Sequence, residues 1–145
     1  MTKMSKVWSA FLGAAILIGF AGHSNADPKG KWLTDGGKSQ VKIEACGDKL
    51  CGEIVWLKEP NNTDGSAKVD INNENEAMRS RPIIGLKLLT NFSGKGPGKW
   101  DGGKIYNPED GKTYNSKLEE ADSRTLQVSG CVFIFCKTQH WTSVE

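Results

Sequence analysis

Histidine is scarce in this chain and no run of basic residues occurs. Only His23 and His140 are present, and 19 Lys and Arg stand against 17 Asp and Glu in 145 residues. The formal charge of +2 comes from Lys3 and Lys6, because no acidic residue precedes Asp27. Proteins that bind nucleic acids or anionic membrane surfaces carry a concentrated positive field. The neutral remainder of this chain therefore predicts no nucleic-acid partner.

The sequence also lacks a recognisable set of catalytic or cofactor-binding residues. No Asp, Glu or nucleophile stands at a spacing that would make His140 part of a catalytic triad, and the C-x-x-C pair of thiol redox proteins is absent. The segment 70–74 alternates oxygen-bearing side chains but lacks the rest of a calcium-loop pattern, so we expect a solvated loop there. We predict no enzymatic activity, no metal and no cofactor.

The first 26 residues have the pattern of a cleaved export signal. A positive start is followed by an apolar stretch over 7–21, and Ser24 and Ala26 are small residues just before the predicted cut. The stretch is shorter than the roughly 20 apolar residues that span a bilayer, and no later run is long enough. We predict cleavage after Ala26, a single mature domain over 27–145, a periplasmic or secreted location, and no stable membrane insertion.

The mature segment alternates apolar and polar residues with a period near two, and Gly and Pro cluster between the alternations. This pattern is typical of an all-β protein. Eight short strands favour an up-and-down barrel, which leaves no open sheet edge. One long polar connection, 58–83, is expected to lie across a barrel mouth and to contain a helical turn in 73–79. The strands are predicted near 30–35, 39–46, 51–57, 84–92, 98–106, 111–120, 124–131 and 136–143.

Four cysteines form two pairs with four intervening residues each, Cys46 with Cys51 and Cys131 with Cys136. Disulfides persist in exported proteins. Residues five apart on one extended strand are about 16 Å apart, too far for a disulfide, so each pair requires a hairpin. We predict one disulfide in each of two hairpins. A structural zinc site is the alternative, because thiolates are good zinc ligands.

These disulfides predict the register of the first hairpin. If residues 47–50 form a loop, Cys46 faces Cys51, and Val41 faces Trp56. Because strand residues alternate between faces, the buried face is predicted to carry Val41, Ile43, Ala45, Gly52, Ile54 and Trp56.

The second hairpin is predicted to pair Cys131 with Cys136, Val128 with Gln139, and Leu126 with Trp141. Its tip, residues 132–135, reads Val-Phe-Ile-Phe. A contiguous apolar patch in water calls for an explanation. We expect this tip to pack against the barrel's own end, and contact with a ligand or partner is the alternative.

Several motifs carry a resemblance to known families. Gly30-Lys31-Trp32 resembles the G-x-W start of lipocalins. Other motifs are Arg79-Ser80-Arg81-Pro82-Ile83-Ile84-Gly85-Leu86, the block from Trp100 to Tyr114, Gly130-Cys131 and Trp141-Thr142. Through them, residues 30–142 resemble an exported bacterial family catalogued as domain of unknown function twenty-one forty-seven. The resemblance implies a lipocalin-like barrel in the cell envelope, without an enzymatic activity at named residues.

One departure from that family concerns the closed end of the barrel. Ser143 follows Trp141-Thr142 where the family commonly has Arg, a residue that can stack on the G-x-W tryptophan by cation–π contact. We therefore expect the closed end to be capped differently here.

The leading functional prediction is a binding protein that holds a small apolar or amphipathic ligand inside the barrel. The alternative is a protein-interaction or inhibitor module with a side-chain-filled barrel whose loops contact another envelope protein. The predicted cavity is lined by members of the set Trp32, Ile43, Ile54, Trp56, Leu88, Trp100 and Trp141. The candidate ligand-binding residues are Trp32, Trp56, Arg79, Arg81, Trp100, Tyr106, Tyr114 and Trp141.

The two arginines have two interpretations. Arg79 and Arg81 flank the exit of the long connection, and neighbouring strands carry further cations and tyrosines, namely Lys104, Tyr106, Lys112 and Tyr114. Facing a common mouth, these groups would bind a carboxylate or phosphate. We favour the other interpretation, in which the arginines hold the long loop to carbonyl groups of the barrel, because most side-chain hydrogen bonds go to backbone or water.

Overall fold

A computed structural model describes residues 27–144, so the predicted export signal and its cleavage site lie outside the described residues. Eight antiparallel strands form a closed barrel in which each strand pairs with the next and β8 pairs with β1. The predicted barrel is confirmed. The strands are Gly30–Leu33 (β1), Ser39–Cys46 (β2), Lys49–Leu57 (β3), Lys87–Gly96 (β4), Lys99–Asn107 (β5), Lys112–Asp122 (β6), Thr125–Val132 (β7) and Phe135–Ser143 (β8).

The up-and-down order divides the connections between two barrel ends. One end, which we call the loop end, carries the β1–β2 connection, the long connection 58–86, and the turns at 108–111 and 133–134. The opposite end carries three tight turns and both ends of the described chain. The long connection includes one short 3-10 helix, Glu76–Met78, within the predicted segment. No helix in residues 27–144 is long and apolar enough to cross a membrane.

Side chains fill the barrel interior. Eight apolar side chains each expose 1% or less of their surface. A ligand-sized space beside them would leave part of their surface accessible, so the predicted cavity does not adjoin these residues. An eight-stranded barrel is only just wide enough to be filled in this way. The eight are Val41, Ile43, Leu89, Phe92, Leu118, Leu126, Val128 and Trp141.

The first hairpin is tighter than predicted. Cys46 pairs with Lys49 across a two-residue turn in which Gly47 has φ +65°, a left-handed conformation that glycine adopts readily. The predicted register is therefore wrong by two residues, although the disulfide between Cys46 and Cys51 is present. Leu50, predicted in the loop, is a buried strand residue opposite Phe92. Burial of Leu50 favours the shorter turn.

A bulge changes the direction of Trp56. Ile54 pairs with Val41 and Trp56 with Gln40, so Val55 is an extra residue in β3. A bulge of this kind reverses the alternation beyond it. The predicted inward position of Trp56 is wrong: its side chain is 41% exposed, and Leu57 packs on the core instead. Ala45, also predicted on the buried face, is exposed.

The second hairpin has the predicted register, with Cys131 bonded to Cys136 and Leu126 opposite Trp141. Pairing continues to residues 132 and 135, so only Phe133 and Ile134 form the turn. These two side chains are 92% and 87% exposed. The expectation that residues 132–135, hereafter the apolar tip, pack on the barrel's own end is wrong, because continued pairing holds them in line with the strands.

The closed end of the barrel lies opposite the loop end, where β1 begins and β8 ends. Ser143 lies opposite Trp32 in the β1–β8 pair. The Trp32 indole Nε1 donates to the carbonyl oxygen of Pro28 at 2.7 Å, and both residues are buried. A backbone segment that precedes β1 therefore satisfies this buried indole.

We predict that Gly103→Ala destabilises the barrel by about 1–3 kcal/mol through overpacking. A Cβ at Gly103 would lie 2.4 Å from the Phe92 ring. Gly94 on the adjacent strand β4 has no atom within 4 Å of its ideal Cβ, so Gly94→Ala is the matched control. Urea unfolding measures both changes, and equal unfolding free energies for the two variants would contradict the close packing of Phe92 on Gly103.

Candidate functional site

A buried carboxylate organises the long connection. Asp70 has no accessible surface, although the sequence predicts a solvated loop there. That expectation is wrong because the connection folds back on the barrel. Arg81 donates to Asp70 Oδ2 through Nε at 2.9 Å and through its terminal nitrogen at 2.8 Å. The Tyr106 hydroxyl donates to Asp70 Oδ1 at 2.6 Å. The loop is thereby bound to strand β5.

Asn73 completes this cluster. Its Nδ2 donates to Asp70 Oδ2 at 2.8 Å and to the Tyr106 hydroxyl at 3.0 Å. Both oxygens of the buried Asp70 carboxylate therefore accept hydrogen bonds, and these offset the free-energy cost of its lost hydration. The Arg81 guanidinium carbon also lies 5.4 Å from the centre of the Tyr106 ring, within cation–π range. We call Asp70, Asn73, Arg81 and Tyr106 the carboxylate cluster.

The cluster shifts the pKa values of both of its weak acids. Burial alone raises the pKa of Asp70, but hydrogen bonds from Tyr106, Asn73 and Arg81 outweigh it, and the net pKa is lowered. Burial, and then the hydrogen bond to Asp70, raise the pKa of Tyr106. The carboxylate is therefore held ionised and the phenol neutral across the ordinary pH range.

A second set of contacts fixes the loop to the β5–β6 turn. Asn72 Nδ2 donates to the carbonyl oxygens of Pro108 and Glu109, each at 3.1 Å. Gly111 has φ +73°, and a Cβ there would lie 1.8 Å from the Asn72 carbonyl oxygen. Arg79 Nε donates to the carbonyl oxygen of Asn73 at 2.7 Å. The expected bonds from the arginines to barrel carbonyls are therefore wrong: Arg79 binds a carbonyl of the loop itself, and Arg81 binds the Asp70 carboxylate.

The predicted ligand-binding residues do not form one site. Trp32, Trp100 and Trp141 are buried in the barrel, and Trp56 lies on its outer surface. Arg81 and Tyr106 belong to the carboxylate cluster, whereas Arg79 binds the loop backbone. Tyr114 lies apart from these, and its hydroxyl donates to Asp110 Oδ2 at 2.5 Å; this hydrogen bond raises the Tyr114 pKa. His140 is exposed, and its Nε2 lies 3.4 Å from Gln127 Nε2.

An open groove of about 620 Å³ lies beside the apolar tip. It unites Lys104, Lys112 and Tyr114, which the sequence placed on neighbouring strands, with Val132 and Phe133 of the tip. Two cations thus adjoin an apolar wall. A smaller depression of about 290 Å³ lies over Gly102 and Gly103.

Sequence reasoning missed Asp70, Asn72 and Asn73. The available signal was the pair Arg79 and Arg81, since an arginine near a fold's surface commonly pairs with a carboxylate. Four carboxylates occur between residues 64 and 76, so the pattern does not identify the partner. The partner is determined by the reversal of the chain that brings Asp70 next to β5.

We predict that Asp70→Asn lowers the free energy of unfolding by about 2–4 kcal/mol. The substitution removes the charge opposite Arg81 and turns an NH₂ group toward other donors. The effect is smaller than for a fully buried pair because the Arg81 side chain is 35% exposed. Asp64→Asn is the control, since Asp64 is exposed and accepts hydrogen bonds from the backbone and side chain of Ser66. Urea unfolding of both variants measures the difference, and equal stabilities would contradict a structural role for the Asp70 charge.

Because ionised Asp70 stabilises the fold, the free energy of unfolding should depend on pH. Its folded-state pKa lies below the unfolded value of about 3.9, so its stabilisation is full above that value and is lost as pH falls through the folded pKa. For Tyr106 the folded pKa is raised, so stabilisation is present below about pH 10 and is lost above it. Unfolding of wild type and Asp70→Asn across pH should give a stability difference that shrinks below about pH 4. A constant difference would be the contrary result.

Comparisons with known proteins agree with the barrel. A solved structure described as "Protein HP1028 from the human pathogen Helicobacter pylori belongs to the lipocalin family" is similar, with a TM-score of 0.71 and 25% identity over 82% of this chain and 84% of that chain. No curated protein matches the sequence. The family model described as "Uncharacterized protein conserved in bacteria (DUF2147)" matches residues 30–143. The chain, an eight-stranded lipocalin-like barrel, therefore belongs to the DUF2147 family.

Proposed function

We propose that this protein is a non-enzymatic binding protein of the bacterial cell envelope that holds an amphipathic small molecule in the groove beside the apolar tip. The observation that carries the proposal is the groove itself, in which two lysines adjoin an apolar wall. The filled interior supports a site outside the barrel.

The chemistry of the groove suits an amphiphile with an anionic head. Lys104 and Lys112 supply ammonium groups for a carboxylate or phosphate, and Val132 with Phe133 supplies apolar surface for a chain. The Tyr114 hydroxyl already donates to Asp110, so its ring is the part that would meet a ligand. A groove of about 620 Å³ falls in the size range of small-molecule sites.

The proposed location in the envelope rests on the export pattern of residues 1–26 and on both disulfides, since such bonds persist in oxidising compartments. The carboxylate cluster has a structural part in this function. It holds the long connection against β5 and the adjacent turn, and Glu74 of that connection lines the groove.

We predict that the protein binds a fluorescent long-chain fatty acid and discriminates against its uncharged methyl ester. Lys112→Glu should weaken fatty-acid binding roughly threefold to tenfold, because reversal of one exposed charge turns attraction into repulsion. Lys87→Glu makes the same charge change at an exposed β4 position outside the groove and serves as the control. Fluorescence titration gives the dissociation constants. Equal binding of acid and ester, or equal loss in both variants, would count against the site.

A second candidate function is the protein-interaction module. It is favoured by Ile71 and Met78, which are 64% and 41% exposed on the long connection. The carboxylate cluster would present these side chains in a fixed geometry. Photo-crosslinking from position 71 in intact cells tests this candidate, and one discrete adduct with an envelope protein is the supporting result.

A further inference from the structure

The apolar tip holds the three most exposed large apolar side chains of residues 27–144: Phe133, Ile134 and Phe135. Val132 beside them is 51% exposed. Scattered apolar residues on a surface are ordinary, but a contiguous group of this kind marks an interaction surface.

The conformation of the turn does not explain why its residues are apolar. Phe133 has φ +54°, in the left-handed region where two-residue hairpin turns favour Asn and Gly. A phenylalanine there is less favourable for the backbone than either residue. Apolar residues at this turn are therefore unfavourable twice, because they do not suit the backbone conformation and because they are exposed to water.

The tip is a short rigid wedge. The disulfide between Cys131 and Cys136 closes the hairpin directly behind it, and one strand residue and one turn residue on each side extend beyond that bond. At about 3.3 Å per residue the projection is about 7 Å. Interfacial segments bury their apolar face about 5–10 Å into the boundary of headgroups and acyl chains. The length of the wedge matches that depth.

The charge around the apolar tip and the small size of the tip favour a lipid bilayer over a protein as its partner. From Thr125 to Ser143 the hairpin contains no carboxylate, and Lys137 is its one Lys or Arg. In neighbouring segments Lys104 and Lys112 stand against Glu74 and Asp110, and Glu109 is paired with Lys38. This near balance suits a zwitterionic surface. Four residues are few against the roughly 20–30 a side of a standard protein interface, whereas a bilayer requires no complementary shape.

We propose that the apolar tip inserts into the interface of a zwitterionic phospholipid bilayer and thereby holds the loop end at the membrane surface. Docking of this kind is reversible and peripheral, and no part of the barrel enters the hydrocarbon. The proposal goes beyond ligand binding, because it concerns where the protein sits and not what the groove takes.

The experiment measures co-sedimentation with phosphatidylcholine vesicles. The full chain is expressed, and the exported protein is purified with its N-terminus determined by mass spectrometry. The test variant is Phe133→Gly/Ile134→Asn, which removes two apolar side chains and places glycine at the turn position with a positive φ. We expect wild type to sediment with the vesicles and the variant to partition roughly tenfold more weakly or worse. Urea unfolding should show the variant to be at least as stable as wild type.

A matched control removes an exposed apolar side chain at the opposite barrel end. Val144 is 40% exposed, and Val144→Asn should leave sedimentation unchanged. An Ile134→Trp variant adds a fluorophore at the tip, and brominated lipids should quench its added fluorescence. Absence of wild-type sedimentation, or equal sedimentation of the Gly-Asn variant, overturns the proposal. So does a tip-dependent dimer or protein adduct without vesicle binding.

Discussion

Closure of eight strands into one cylinder sets the conditions for everything else in this protein. The cylinder satisfies every edge by pairing β8 with β1, and its interior, which has room for side chains or for one small ligand, is filled here by side chains. Trp32, Phe92, Trp100 and Trp141 occupy much of that space. Large inward aromatics stabilise a barrel by removing apolar surface from water, and the same volume is then closed to a ligand. A ligand-binding site of this protein would therefore lie on the outer wall or on the connections.

The loop end shows how a polar connection becomes part of a fold. A long loop loses considerable conformational entropy when ordered, and of this loop's residues Ile83 and Leu86 join the buried apolar core. The carboxylate cluster supplies directional contacts as well: Asp70 receives donors from three residues, one of them on β5. Gly111 permits the close approach of the Asn72 backbone. The block from Trp100 to Tyr114, which carries the family resemblance, thus includes both the phenol and the turn that receive the loop.

The two disulfides have different surroundings although their spacing is identical. Cys46–Cys51 lies at the closed end, where Cys51 is buried. Cys131–Cys136 lies at the loop end behind an exposed apolar tip. Each bond closes a short chain segment, so each contributes modestly to global stability in the chain-entropy model. The second bond has the further effect of restricting a hairpin whose turn residues favour fraying.

Alternation of apolar and polar residues determined the class of fold, the number of strands and most of their positions, because a strand buried on one face repeats every two residues. The paired cysteines determined that two hairpins exist, since an extended strand cannot bring residues five apart together. The direction of Trp56, the burial of Asp70 and the exposure of the apolar tip were decided only in three dimensions. A single bulge reverses side-chain direction, a chain reversal selects one carboxylate among several, and continued pairing holds a turn away from the barrel. Each of these three features depends on contacts between residues distant in sequence, and the local periodicity of the sequence does not predict such contacts.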